Sequence, residues 1–472
     1  MSEERLVSKR TKTFLPGIAA IAFFMQALDG TILNTALPSI AKDLGHSPLS
    51  MQSVIVSYTL TLALLIPLSG WLADKFGTKN IFCIAVGLFT LGSLCCALSL
   101  SLPQLVLSRI LQGIGASMMV PVARLTVLYT YPKKLLLTVM NYITIPGLIG
   151  PVIGPSLGGW LVELASWHWI FLINIPIGII GIAMAWYAMP NLKKRIGVFD
   201  TLGFIFFGGA LTVLTLALEA GGMGTIRPTY TMLLIVVSCL LVILYIFHAR
   251  RTNNPLINLN LFKIRTLKVG LIGSLATRLG IGGLPLLLPL MLQVGFGYSA
   301  AVAGMILIPS AIANLLAKPL VVKIVKKFGY KKVLLSNTLI LAVVISLFAL
   351  PNANTPLYYL LPLLLVYGMV SSTQFTSMNT ISMADLDASN SSSGNSMIAV
   401  TQQLSISLGI SLSSLLLSSI HQMGMQGASE ANAFKYTFLI LGAVTAIASL
   451  VFMQLKPLDG SKLSGHSRNA VE

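Results

Sequence analysis

Charge is what this sequence has least of. Asp and Glu number 13 among 472 residues, and all charged residues together make up 9%. Soluble chains carry about 25% charge, so a water-soluble globule is excluded. Histidine is also scarce, with five residues, and there are four cysteines. Cys83, Cys95, Cys96 and Cys239 all fall in apolar runs without metal-ligand or paired-loop spacing, as buried small hydrophobes do. No GxxxxGK[ST] segment is present, which argues against ATP as an energy source. The loops offer no nucleophile–base pair and no metal cluster, so an enzyme is not expected. What remains is apolar: hydrophobic residues make up 55%, and the mean hydropathy is +0.87. These values describe an all-α polytopic membrane protein.

Apolar runs place fourteen helices at 13–38, 50–72, 80–100, 103–128, 138–163, 169–189, 201–219, 229–248, 266–292, 298–322, 333–350, 356–380, 396–420 and 434–455. An even count puts both termini on one side. With that side inside, 24 Lys and Arg lie in inner segments and 3 (Lys42, Arg227, Lys435) in outer ones. The remaining four, Arg109, Arg124, Arg278 and Lys318, lie within helices. This asymmetry predicts cytoplasmic termini, and it accounts for the net charge of +18 without nucleic acid. The first run is too long for a cleaved signal and contains Asp29 and Pro38, so it reads as a retained helix.

The sequence repeats internally. WLADKFGTKNIF follows the second run and KIVKKFGYKKVL the tenth, so that Gly77 aligns with Gly329. Weak repeats of this kind mark secondary transporters, with substrate sites near the midplane. The spacing exceeds that of two adjoining six-helix halves. It predicts a six-helix bundle over 1–190, two inserted helices over 191–264, a second six-helix bundle over 265–456 and a tail over 457–472.

Four stretches carry chemistry. Asp29 sits mid-run in FFMQALDGTILNTALP, where an aspartate costs roughly 2.5–3.5 kcal/mol and needs a partner or a cavity. In the fourth run Arg109, Gln112, Gly113 and Ala116 share a helix face, and a buried guanidinium needs an acidic or polar partner. Gly70, Asp74, Gly77 and Lys79 form a tight inner turn, with Arg124 near enough in depth to reach Asp74. In the fifth run Gly150, Gly154 and Gly158 make a small-residue stripe interrupted by Pro151 and Pro155, which bend the helix and free carbonyls.

Together with WHWIFxxNxP from Trp167, these stretches resemble the major facilitator superfamily, and within it the fourteen-helix drug:proton antiporter branch. The resemblance implies that Asp29 is the proton-coupling acid and that Arg109 takes part in proton transfer. It implies that Asp74 is a latch against the helix starting near Ser393, and that Gly150, Pro151 and Gly154 belong to an antiporter motif. This chain departs from the pattern with Thr78 where a basic residue is usual and His168 where arginine is usual.

Gln26, Asn34, Gln112, Arg278, Gln374 and Gln403 are the expected cavity-lining residues, and Ser407, Ser411 and Ser414 extend the stripe of Gln403. Small polar residues also glue membrane helices together. The expected function is proton-coupled efflux of amphipathic organic compounds across a bacterial cytoplasmic membrane, by a monomer without a cofactor, driven by the proton motive force. The alternative is export of a specific anionic or zwitterionic metabolite, because cations outnumber acids within the runs.

Overall fold

A computed structural model of the protein describes residues 9–131, 133–194, 198–222, 227–252, 255–387, 391–423 and 430–461. Among the described residues every regular element is helical. The chain divides into two compact units, the first comprising Met1–Ser47 and Ser53–Phe199, the second Pro48–Gln52 and Asp200–Glu472.

The first unit holds α1 (Lys9–Asp43), α2 (Gln52–Phe76), α3 (Thr78–Ala97), α4 (Leu102–Thr130), α5 (Lys133–Leu164), the short α6 (Trp169–Leu172) and α7 (Asn174–Ala188). α1 packs along α5 and also touches α4 and α7, while α3 lies between α4 and α7. Its apolar core is built from Leu15, Met25, Phe82, Phe89, Met119 and Val122 among others, all fully buried.

The second unit holds α8 (Thr201–Gly222), α9 (Pro228–Arg251), α10 (Arg265–Ile281), α11 (Leu284–Leu290), α12 (Ala300–Leu347), α13 (Leu360–Met383), α14 (Ser391–Met423) and α15 (Glu430–Phe452). α8 pairs with α9 and packs on α14; α12 packs on α13 and α15; α10 meets α13, α14 and α15. α9 shows why a bilayer is required. Met232, Leu233, Val236, Leu240 and Phe247 are all more than half exposed along it, an apolar face that water would not tolerate.

Twelve helices among the described residues are long and apolar enough to cross a membrane. The expected runs 298–322 and 333–350 fall in one 48-residue element, α12, whose only non-helical backbone is at Gly329 (φ 75°, ψ 159°). The basic segment between those runs holds no Pro, so the chain stays helical on both sides of that glycine. The expected run 356–380 corresponds to α13, which is not one of the twelve because its stretch from Ser371 to Thr380 is polar. Both aligned glycines adopt positive φ, 102° at Gly77 and 75° at Gly329. Each half of the repeat therefore uses glycine for the same local turn.

Candidate functional site

The first unit places Asp29 by close helix packing. A Cβ on Gly150 would lie 2.7 Å from the Leu28 amide nitrogen, and on Gly154 or Gly158 it would strike Thr31 Oγ1 or the Ile32 carbonyl. The glycine stripe thus lets α5 lie against the turn of α1 that carries Asp29. Thr31 Oγ1 donates to the Gly150 carbonyl at 3.3 Å and Thr35 Oγ1 to the Pro155 carbonyl at 2.9 Å. The carbonyls released by Pro151 and Pro155 are those of Gly147 and Pro151, so these interhelical bonds do not use the freed groups. Pro151 itself is exposed.

Asp29 is 1% exposed and accepts three donors, two from α4 and one from α7. Arg109 Nη1 donates to its Oδ2 at 2.8 Å. Gln112 Nε2 and Asn174 Nδ2 donate to its Oδ1 at 2.8 and 3.3 Å. Gln112 also accepts from Arg109 and from the Cys96 thiol, and it donates to Ser93 Oγ at 2.8 Å. Arg109 is tied further by Nε to the Val54 carbonyl at 3.2 Å, and its guanidinium lies 4.1 Å from the centre of the Tyr58 ring. α3 reaches this cluster because Gly92 has no side chain; a Cβ there would sit 2.6 Å from the Gln112 backbone nitrogen.

Two buried charges are therefore neutralised by each other and by neutral amides, the condition under which a buried ion pair is tolerated. Around the carboxylate the hydrogen-bonding side chains all donate. The Asn174 Oδ1 and the Tyr58 hydroxyl are buried with no partner among the described residues. Such a cluster can hold an ionised carboxylate, and it would have to rearrange to hold a protonated one.

Asp29, Arg109 and Gln112 were legible in the sequence as site residues; Ser93, Asn174 and Tyr58 were not. Asn174 belongs to the WHWIFxxNxP pattern, and an amide within an apolar run was the available signal. Ser93 and Tyr58 look like any small polar or aromatic residue of a membrane helix. Gln26 has a buried Oε1 with no partner among the described residues, and Asn34 is 6% exposed on the same helix.

The inner turn departs from expectation. The Asp74 carboxylate accepts the Tyr129 hydroxyl at 3.1 Å, while Arg124 lies over the Phe23 ring, 5.5 Å from its centre. The expected reach of Arg124 to Asp74 is thus corrected: Tyr129 stands five residues closer to the inner end of α4, about 7.5 Å further along its axis, at the depth of Asp74. Beneath Gly77 lies Asn191, whose side chain fills the place of a Cβ. The Lys79 ammonium sits 4.8 Å from the centre of the Trp186 ring, and Gly70 faces open space. His168 stacks on Trp167 at 3.8 Å and meets Ser166 Oγ at 3.2 Å.

In the second unit Gln374 is fully buried, its Oε1 accepting from Asn337 and its Nε2 donating to Thr338, each at 2.8 Å. Both ends of its amide are used in packing α13 on α12, which corrects the expectation that it lines a cavity. Gln403 is half-buried on α14, and Ser407, Ser411 and Ser414 are buried beside it. Arg278 is buried on α10 with Ser274 and Phe375 as its side-chain neighbours.

Known proteins supply the context for this geometry. Residues 19–409 and 270–470 match the family model described as Major Facilitator Superfamily. The chain is 47% identical over 441 residues to the "Putative multidrug resistance protein MdtD" of Salmonella paratyphi A, covering 93% of this chain and 94% of the relative. The same identity and coverage hold for the protein of that name in Salmonella typhimurium. Among solved structures it is similar to a POT family transporter in complex with 5-aminolevulinic acid (TM-score 0.68, 14% identity, 93% of this chain and 95% of that one). It is also similar to the nucleoside transporter NupG (TM-score 0.64, 15% identity, 94% and 100%). The family match spans most of the sequence and the MdtD relatives align almost end to end, so this chain belongs to the major facilitator superfamily of membrane transporters.

Proposed function

We propose that the protein is a proton-coupled exporter of amphipathic organic compounds, working by alternating access. Asp29 takes a proton from outside and releases it inward as substrate leaves. The observation that carries this reading is the buried cluster of Asp29 with Arg109, Gln112 and Asn174. A proton on Asp29 removes the negative charge opposite Arg109 and puts a donor where the neighbouring side chains also donate. The protonated and ionised states therefore favour different side-chain arrangements, which is what coupling requires. One charge crossing 100 mV supplies about 2.3 kcal/mol. Likeness to relatives named for multidrug resistance supports drug-like cargo.

In this reading Gly329 divides α12 into two spans and α13 is a further one, which makes fourteen. α8 and α9 are then the two helices inserted between a bundle over 1–190 and another over 265–456, and both termini lie in the cytoplasm. The transporter acts as a monomer in a bacterial inner membrane, with the proton gradient in place of a cofactor. Asp74, Gly77 and Lys79 serve as the latch.

The test is proton release from everted vesicles, followed with a pH-sensitive dye across a panel of lipophilic cations and organic anions, for the unmodified protein and Asp29→Asn. Substrate-evoked release that vanishes in Asp29→Asn supports coupling at Asp29; undiminished release in Asp29→Asn overturns it. The alternative, export of an anionic or zwitterionic metabolite, is favoured by one observation: among the described residues Arg278 has no acidic partner.

A further inference from the structure

Among the described residues two arginines are buried, and their surroundings differ. Arg109 has Asp29, Gln112 and the Val54 carbonyl. Arg278, 8% exposed, donates from Nε to Ser274 Oγ at 3.2 Å and lies with its guanidinium carbon 4.2 Å from the centre of the Phe375 ring. A guanidinium has five N–H donors. Among the described residues none of the other four has a protein acceptor, and no carboxylate pairs with the charge. An arginine this deep is costly without compensation.

Its position is built. Ser274 stands one turn before Arg278 on α10 and holds Nε, which sets the plane of the guanidinium. Phe375 of α13 covers one face, so the edge bearing Nη1 and Nη2 is the part left for a ligand. α14 comes against the α10 backbone at Gly409, where a Cβ would strike the Arg278 carbonyl. The same carbonyl accepts the Gly282 amide at 2.6 Å, which anchors the last turn of α10. Next to Arg278 in sequence, the Thr277 hydroxyl is buried with no partner among the described residues.

We propose that Arg278 is the recognition residue of a ligand site in the second unit for a planar organic monocarboxylate with an apolar body. The free guanidinium edge matches a carboxylate through two parallel N–H···O bonds. One buried cation balances one negative charge, so a dianion such as a phosphate monoester would bring a second charge without a partner. Phe375 is half-buried, and its uncovered ring surface suits an aromatic or aliphatic body rather than a small hydrophilic acid. Arginine is the fitting residue because a lysine would offer a point charge and no fork. The inference rests on the efflux reading only in making this ligand the cargo.

Binding to the purified full-length protein, measured by calorimetry without a proton gradient, tests the site. The probes are 1-naphthoate, benzoate, neutral 1-naphthamide and the cation 1-naphthylmethylammonium. The expected result is carboxylate binding with 1-naphthoate the tightest, and no binding of the amide or the cation. Arg278→Gln should weaken 1-naphthoate by about tenfold or more, the loss of charge-assisted hydrogen bonds. Arg278→Lys should retain part of the affinity, and Phe375→Leu should weaken naphthoate more than benzoate. Where Arg278→Gln does not fold by gel filtration, the Lys and Leu variants carry the test. Because binding is measured without a proton gradient, failure at this site and failure of proton coupling are read separately. Equal affinity in the Arg278 variants, equal binding of the cation, or no binding of either carboxylate overturns the proposal.

Discussion

Asp29 and Arg109 lie 80 residues apart in sequence and meet as a buried ion pair at 2.8 Å, each 1% exposed. Removing one member leaves the other charged and dry, which costs about 3–5 kcal/mol where it has been measured in other buried pairs. Asp29→Asn and Arg109→Gln should each lower the thermal unfolding midpoint of the purified protein. The double variant should lose clearly less than the two separate losses combined, because neither charge is then stranded. Additive losses in such a cycle would mean that the pair contributes little beyond packing.

Gly92 offers a second way to disturb the same cluster without touching charge. Its missing side chain is what lets α3 approach the Gln112 backbone. Gly92→Ala should push α3 from α4, with a cost of about 1–3 kcal/mol from overpacking, and should reduce proton-linked transport through Gln112. Gly87→Ala on the same helix is the control: its Cβ would meet nothing nearer than an Ile182 methyl at 4.0 Å. Equal unfolding temperatures for the two variants would count against the argument.

Much of this architecture is legible in the sequence, for a physical reason. Apolar runs near 20 residues long have few alternatives to membrane helices, and Asp29, Arg109 and Gln112 stand out because polar groups are expensive there. Helix partners are less legible. Ser93 and Asn174 join Asp29 only because α3 and α7 are packed beside α4 and α1, and nothing local to Ser93 marks it. Arg124 misled because a charge invites pairing with a charge, whereas the phenol of Tyr129 stands at the right depth. The lysines between the runs 298–322 and 333–350 suggest a loop, whereas the backbone of α12 leaves the helix at Gly329 alone.

A pH dependence follows at the start of α8. The Asp200 side chain is 5% exposed and accepts from His248 Nε2 at 2.6 Å and from the Gly203 and Leu256 amides, each at 2.9 Å. Burial pushes its carboxyl upward, but the His248 bond and the two amides outweigh it and hold it below the usual carboxylate range. A depressed folded value means that this contribution is complete above the unfolded value of about 3.9 and is lost as pH falls through the folded value. The unfolding midpoint of the unmodified protein should therefore fall more steeply below pH of about 4 than that of Asp200→Asn. Parallel acid limbs would show that the carboxylate bonds add nothing.

Thr78 replaces a residue that is usually basic in this superfamily's loop motif, and its surroundings explain why. It is fully buried at the start of α3. Its amide donates to the Leu192 carbonyl at 3.0 Å, and its Oγ1 donates to the Pro190 carbonyl at 2.9 Å while accepting the Leu192 amide at 3.1 Å. Two residues on, the Lys194 amide donates to the Asp74 carbonyl at 3.0 Å, and its ammonium sits 3.5 Å from the centre of the Tyr129 ring. The segment after α7 is thus laced across the turn that carries Asp74. Thr78→Val keeps the shape and leaves a donor and an acceptor unmatched, at a cost of about 1–3 kcal/mol. Thr78→Ser should fall well short of that loss, since serine retains the hydroxyl. Thr78→Arg should do worse than either, since a long cation has no room at a position with no exposed surface. Unfolding midpoints for the three variants decide the order, and an arginine variant as stable as the serine one would show that the segment moves aside freely.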